Sequence, residues 1–479
     1  MTVPATRPAP AAASLPAGAL TVLAMAQLII ALDATIVFVA LPEIGGALRF
    51  SAQQLQWVVS AYTVAFGGFL LLGGRATDLL GRRRIYVLGQ ALYALASLAG
   101  GVATDQALLI AARALQGIGG AMLFPATLAL IHACFAEGPA RTRAFAVWSA
   151  ASAVGLALGS LLGGVLTEWL GWQAIFLVNV PLAGGCALAA LRCLPADGPP
   201  LRGRRFDVAG GLTVTAGGTL LVLALVQGPE TGWDAPGIIG SIVLACALLA
   251  AFVAIERHSP DPLVPLRMFG HRKLRLAMLL TCVFMASFGA QYYFLALYYQ
   301  EVYRYSVLQA GLAFLPPTVL CTAGIHCAER MLLRAGERAT LLAGLLAGAA
   351  GTAWLCLALP GGAGYWRLLA PIMLLSVGQG MTWTAMWVTA GSGVAVHEQG
   401  VASGMASMSQ QVGGALALAV LVAVANAGSA GLDGEALRQA QAHGIERAFW
   451  GMAGVLLLGV AIAARLRRPA PLRGGTAAG

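Results

Sequence analysis

The segment GGRATDLLGRRR, Gly73 to Arg84, fixes the surroundings in which the rest of the chain must be read. A glycine pair lets a helix end pack closely, Asp78 precedes a tight turn at Gly81, and Arg82, Arg83 and Arg84 follow as a basic cluster. Long apolar runs flank it on both sides. A short turn rich in Lys or Arg between two such runs is the mark of a cytoplasmic membrane loop. Alone, the segment reads either as an ordinary basic turn or as a device in which Gly74, Asp78, Gly81, Arg82 and Arg83 act together.

Composition agrees with a lipid setting. Of 479 residues, 59% are hydrophobic and 10% are charged, where a soluble domain carries roughly 25% charged residues. The 19 acidic and 29 basic residues are too few to cover a water-soluble protein of this size. Helices in lipid satisfy their own backbone polar groups and need few charges. The eight cysteines are scattered through apolar stretches with no close pair at metal-ligand spacing, and they read as small hydrophobes. No metal or other cofactor is expected. The Pro/Ala-rich N-terminal tail lacks a basic region, and the first apolar run is longer than a signal-peptide core, so that run is expected to remain in the membrane.

A span needs about 20 apolar residues, and fourteen such runs can be marked out. An even number puts both termini on one side. With the N-terminus inside, only Arg49, Arg304, Arg367, Arg438 and Arg447 fall outside, and Arg113 falls within a span. That bias places both termini in the cytoplasm. It also accounts for the net charge of +10 through loops facing anionic lipid, with no nucleic-acid partner.

The runs group as six, two and six. The reading is a disordered cytoplasmic tail at 1–17, a six-helix bundle at 18–195, a linker with two inserted membrane helices at 196–273, a second six-helix bundle at 274–466 and a cytoplasmic tail at 467–479. Two six-helix halves with a site between them near the midplane describe a rocking transporter.

The fourth run carries RALQGIGGA, Arg113 to Ala121. An arginine inside a span costs at least a few kcal/mol unless it is paired or faces water. It therefore needs a partner, and among the carboxylates only Asp33 falls near mid-span; Glu43, Glu256 and Glu329 fall at or near helix ends.

With these two motifs in place, the chain resembles the major facilitator superfamily, and within it the fourteen-helix drug:proton antiporters. Further similar stretches are LDATIVFVALP (Leu32 to Pro42, with Phe38 at the family's usual asparagine), GWQAIFLVNVP (Gly171 to Pro181, with Gln173 and Ala174 where Arg and Trp are usual), FDVAG (Phe206 to Gly210), PDPLVPLRMF (Pro260 to Phe269), YSVLQAGLAFLP (Tyr305 to Pro316) and GVASGMASMSQQVGGA (Gly400 to Ala415). The resemblance implies an all-α integral membrane protein with the major facilitator fold, two six-helix bundles plus two inserted helices. The fifth run has small residues at Ala151, Gly155, Gly159 and Gly163, with Gly164 beside them, a stripe that permits close helix packing. Ser160 stands where the family's antiporter motif has proline, and the second half's counterpart of the first loop is reduced to ERMLLRAGER, Glu329 to Arg338.

The function implied is a proton-coupled antiporter that exports lipophilic or cationic drugs or natural products across a bacterial inner membrane. Asp33 is the expected proton carrier with Arg113 as its counter-cation; the alternative is a static ion pair between the first and fourth helices. The resemblance places Asp78 against the start of a helix in the other half, here the thirteenth, with Arg82 and Arg83 in support. Expected pocket residues are Trp57, Tyr62, Phe66, Phe288, Gln291, Tyr292, Trp383 and Trp387; the alternative for each is packing or lipid contact. His326 is a lesser relay candidate. The expected partners are a drug-like small molecule, protons and membrane lipid, with the protein acting as a monomer. A dedicated carrier of one metabolite, in either direction, is the second reading. A membrane enzyme or redox subunit is disfavoured, because no phosphate-cradling Gly-Lys-Ser/Thr loop or helical His-Glu-x-x-His is present.

Overall fold

The computed structural model describes residues 18–50, 52–55, 57–197, 207–259, 262, 264, 266–305, 307–359, 364–395, 398–426 and 434–466. The tails expected at 1–17 and 467–479 lie outside the described residues, as does much of the first linker. Among the described residues the regular structure is helical throughout.

Among the described residues, twelve helices are long and apolar enough to cross a bilayer. Two further features bring the number to the fourteen expected. Arg82–Gly101 has the length of a span, although its leading arginines dilute its apolar character. The continuous run Gln309–Ala358 divides at Gly336, whose φ of 78° suits glycine and strains other residues. In chain order the spans are α1 (Ala19–Ala47), α2 (Trp57–Leu80), α3 (Arg82–Gly101), α4 (Gln106–Cys134), α5 (Pro139–Leu170), α6 (Ala174–Cys193), α7 (Val208–Thr231) and α8 (Pro236–His258). Then follow α9 (Arg272–Gln300), α10 (309–335) and α11 (337–358) on either side of Gly336, α12 (Tyr365–Gly391), α13 (Gln399–Asn426) and α14 (Gly434–Ala464).

Small residues set how closely the helices approach. A Cβ on Gly155, Gly159 or Gly163 would stand 2.6, 2.4 and 2.9 Å from the carbonyl oxygens of Leu28, Leu32 and Ile36, so α5 lies directly on the backbone of α1. Thr35 Oγ1 reinforces the seam by donating to the Leu156 carbonyl at 2.9 Å. Gly164 differs, with only Val39 Cγ1 near its Cβ position, at 4.0 Å. The inserted α7 rests against α2, where a Cβ on Gly68 would strike Thr219, and Asp207 caps its first turn by accepting from the Gly210 amide at 2.7 Å. Between the halves, Ala146, Ala150 and Ala153 of α5 meet Cys321 and Ile325 of α10. α9 departs from regular geometry in two π-helical turns, Met285–Gly289 and Tyr298–Val302, a feature often found near functional sites.

Candidate functional site

Asp33 stands midway along α1 among buried Ile29, Ile30, Ile36 and Val37, and is itself 0% exposed. Its Oδ2 accepts from Arg113 Nη1 at 2.7 Å, and its Oδ1 from Asn179 Nδ2 at 3.4 Å. The 2% exposed Arg113 also donates from Nε to the Val58 carbonyl at 2.8 Å and from Nη1 to Gln116 Oε1 at 2.8 Å. Gln116 passes the chain on to Ser97 Oγ at 2.7 Å, and the Tyr62 ring covers the guanidinium at 4.7 Å. Side chains from α1, α3, α4 and α6, and a carbonyl of α2, thus converge on one ion pair. Burying two opposite charges is tolerable only when their remaining hydrogen-bonding groups find partners, and this network supplies them to both oxygens of Asp33 and to Nε and Nη1 of Arg113. A proton on Asp33 would remove the counter-charge of Arg113 and loosen the joint between α1 and α4.

At the end of the molecule bearing the basic turn, Asp78 closes α2 onto α13. Its Oδ1 accepts from the Gly400 amide at 3.0 Å and its Oδ2 from the Val401 amide at 2.8 Å. These are among the first amides of α13, which have no partner within their own helix and carry the positive end of its dipole. Gly74 makes the approach possible, since a Cβ there would lie 2.5 Å from the Gly400 carbonyl. Gly81, at φ 106°, turns the chain into α3, which Arg82 opens. Arg83 is directed elsewhere: its amide and that of Arg84 bind Asp197 at 3.0 and 2.9 Å, and its guanidinium reaches the Leu191 carbonyl of α6. It braces the first half rather than touching the α2–α13 contact.

The Major Facilitator Superfamily family model matches residues 23–418. The chain belongs to the major facilitator superfamily. It is 41% identical over 425 residues to the cephamycin export protein CmcT of Amycolatopsis lactamdurans, covering 87% of this chain and 86% of that one. It is 39% identical over 453 residues to the puromycin resistance protein pur8 of Streptomyces alboniger, covering 93% and 90%. Among solved structures it resembles the proton:xylose symporter XylE, with a TM-score of 0.69 and 14% identity, covering 94% of this chain and 95% of that one; this likeness speaks for the fold alone. The protein is a multi-pass membrane transporter and not an enzyme.

In this transporter the expected pocket residues divide into three groups. Tyr62 stacks on Phe66 at 5.8 Å, Phe66 meets Phe124 at 6.1 Å, and Phe124 meets Trp387 at 5.2 Å. Trp383 lies 5.8 Å from Trp387 and 5.1 Å from Phe284. These rings form one chain from the Arg113 site across the boundary between halves. Gln291 and Tyr292 of α9 leave it and bind Gln379 of α12, at 3.0 and 3.2 Å. Phe288 continues the chain beyond Phe284, with ring centroids 5.3 Å apart, while Trp57 stands outside it. Phe288 lies over Gly348 inside the second half, where a Cβ would meet its Cζ at 2.4 Å, and Trp57, the first residue of α2, makes no ring contact with the described residues.

Several participants escaped the reading of the sequence. Trp148 of α5, 0% exposed, stacks on Trp383 at 6.0 Å with planes 6° apart. Asn179 was legible as part of GWQAIFLVNVP but not as a partner of Asp33. Among the described residues the buried histidine is His132, wedged against Gly391 so closely that a Cβ there would overlap its ring. His326 is exposed and bound to the Thr322 carbonyl of its own helix at 2.9 Å.

Proposed function

We propose that the protein is a proton-coupled antiporter that exports lipophilic drugs or natural products by alternating access. The observation that carries this reading is the Asp33–Arg113 pair, a carboxylate placed at mid-span and held at 2.7 Å by an arginine. Intramembrane ionisable groups mark ion pathways, and protonation of this one changes the joint between two helices. The antibiotic-export and resistance relatives supply the cargo class. On this reading the basic end faces the cytoplasm, both termini lie there, the membrane is a bacterial inner membrane, and one chain suffices as the transporting unit.

The cycle follows from the two contacts that must break. On this reading the Asp78 contact and the aromatic chain hold the cytoplasmic side closed. Substrate entering from the cytoplasm requires that side to open, and its arrival promotes release of the proton from Asp33. Opening to the outside lets a proton return to Asp33 and lowers the hold on the substrate. Asp33, Arg113, Tyr62 and Phe66 form the coupling region; Gln291, Tyr292, Trp383 and Trp387 are the substrate-facing groups of the second half.

Dye efflux from cells expressing the wild type and Asp33→Asn, with and without an uncoupler, tests the reading. The expected result is uncoupler-sensitive efflux of several unrelated dyes by the wild type and none by the variant. Efflux that ignores the uncoupler would overturn proton coupling, and transport of one compound alone would favour the dedicated carrier.

A further inference from the structure

The aromatic chain holds an imbalance that its ring packing does not resolve. Trp148 and Trp387 are 0% and 1% exposed, and Trp383 is half-buried at the same cluster. The indole Nε1–H of each is buried and has no acceptor among the described residues. The hydroxyl of Ser149, next to Trp148, is likewise buried without a partner. Two acceptors on the helices concerned are already engaged, since Gln379 Oε1, one turn before Trp383 on α12, receives both Gln291 and Tyr292, and Asp33 receives Arg113 and Asn179; Gln291 Oε1 is itself buried without a partner and is not bonded to any of the three indoles. A buried donor without an acceptor carries a desolvation penalty, and three at one seam favour any state in which they are satisfied. The seam lies between α5 of one half and α12 of the other, so it is uncovered when the halves part at the basic end.

We infer that Trp148, Trp383 and Trp387 form a capture site for ligands that bring hydrogen-bond acceptors, a carbonyl or carboxylate on a planar or apolar frame, in preference to permanent cations. This rests on the export reading and specifies its substrate class. The indole faces, which attract cations, are turned to one another: Trp148 on Trp383 face to face, with Trp387 edge-on to both. The N–H of each ring is left without an acceptor by this packing. The mid-span carboxylate that would otherwise recognise a cation is held by Arg113. Trp148 is thereby assigned to substrate selection, beside the α12 pair.

Two planar fluorescent probes of opposite character separate the possibilities: fluorescein, an anion with carboxylate and carbonyl acceptors, and ethidium, a permanent cation. Binding to the purified full-length transporter is read by fluorescence anisotropy. Replacing Trp by Phe keeps a ring and removes the N–H. Trp148→Phe and Trp387→Phe are each expected to weaken fluorescein binding about fivefold, to compound in the double variant, and to weaken ethidium binding less than about twofold. Trp169→Phe, at a 77% exposed position of α5, is expected to alter neither. Should Trp148→Phe fail to fold, Trp387→Phe and Trp383→Phe carry the same test. Equal losses for both probes, no loss for fluorescein, or a wild type that prefers ethidium would each overturn the assignment while leaving the export reading intact. Failure of that reading shows separately, as absent dye efflux from wild-type cells.

Discussion

The first and fourth helices of each half are tied together at mid-span, but with different chemistry. In the first half α1 and α4 are joined by a carboxylate and a guanidinium at 2.7 Å. In the second, α9 and α12 are joined by two neutral side chains on one amide, Gln291 and Tyr292 on Gln379. Only the first joint changes its charge when a proton arrives. The second can exchange hydrogen bonds with a ligand without any change of protonation. The fold thus repeats a position with a charged joint in one half and a neutral one in the other.

The turns at the basic end show the same asymmetry. Asp78 is seated on the start of α13. Its counterpart turn around Gly336 faces the start of α5 across a cavity of about 410 Å³ lined by Glu137, Arg141, Lys273, Glu337 and Arg338. Glu337 is turned back into its own half, where it accepts from Ser392 at 2.8 Å and pairs with Lys273 at 3.3 Å. One turn latches the halves and the other leaves a gap.

Making the two mid-span joints alike is the strongest way to break this contrast. Arg113→Leu strands a buried carboxylate and is expected to cost about 3–5 kcal/mol, seen as a fall in melting temperature and yield. Asp33→Asn combined with Arg113→Gln, which gives the first joint the neutral chemistry of the second, should recover most of that stability. If the double variant is no more stable than Arg113→Leu, the ion pair is not what Arg113 is held by. Asp78→Ala removes two charge-assisted hydrogen bonds, roughly 1.5–3 kcal/mol each, and should move the population toward opening at the basic end by tenfold or more. Spin labels placed across α2 and α13 read the change as a longer distance, and an unaltered distance distribution counts against the latch.

Helix packing gives a smaller and sharper contrast. Gly159→Ala would push a methyl into Thr35 Oγ1 and the Leu32 carbonyl, at 2.1 and 2.4 Å, and is expected to destabilise by about 1–3 kcal/mol. Gly164→Ala, whose nearest contact is at 4.0 Å, should be neutral; equal melting temperatures for the two would deny the α1–α5 seam its role. Gln379→Leu leaves the Gln291 and Tyr292 donors without their acceptor, at about 1–3 kcal/mol, and should weaken substrate binding while leaving proton-driven transport coupled. Loss of coupling there would erase the distinction between the halves.

Legibility in the sequence followed the cost of the feature. Asp33 and Arg113 stood out because a charge in lipid demands a partner, and the spans stood out because lipid demands length. Gly81 and Asp78 were legible as turn chemistry, although the reach of Arg83 to Leu191 depends on how α6 ends and was not. Trp148 and Trp169 both interrupt apolar stretches of α5, yet one is 0% exposed at the seam and the other 77% exposed. An aromatic ring is tolerated by lipid and by protein alike, so position along the chain carries no sign of which it meets. Gln379 and Asn179 were missed for a related reason: a neutral amide in a span is affordable enough to need no announced partner.

Proton release on substrate binding tests the central claim most directly. Purified transporter in weakly buffered detergent solution, carrying a pH indicator, is mixed with a substrate identified by efflux. The wild type should release protons as the ligand binds, and Asp33→Asn should bind the same ligand and release none. Undiminished release from Asp33→Asn would place the exchanged proton elsewhere and contradict the account.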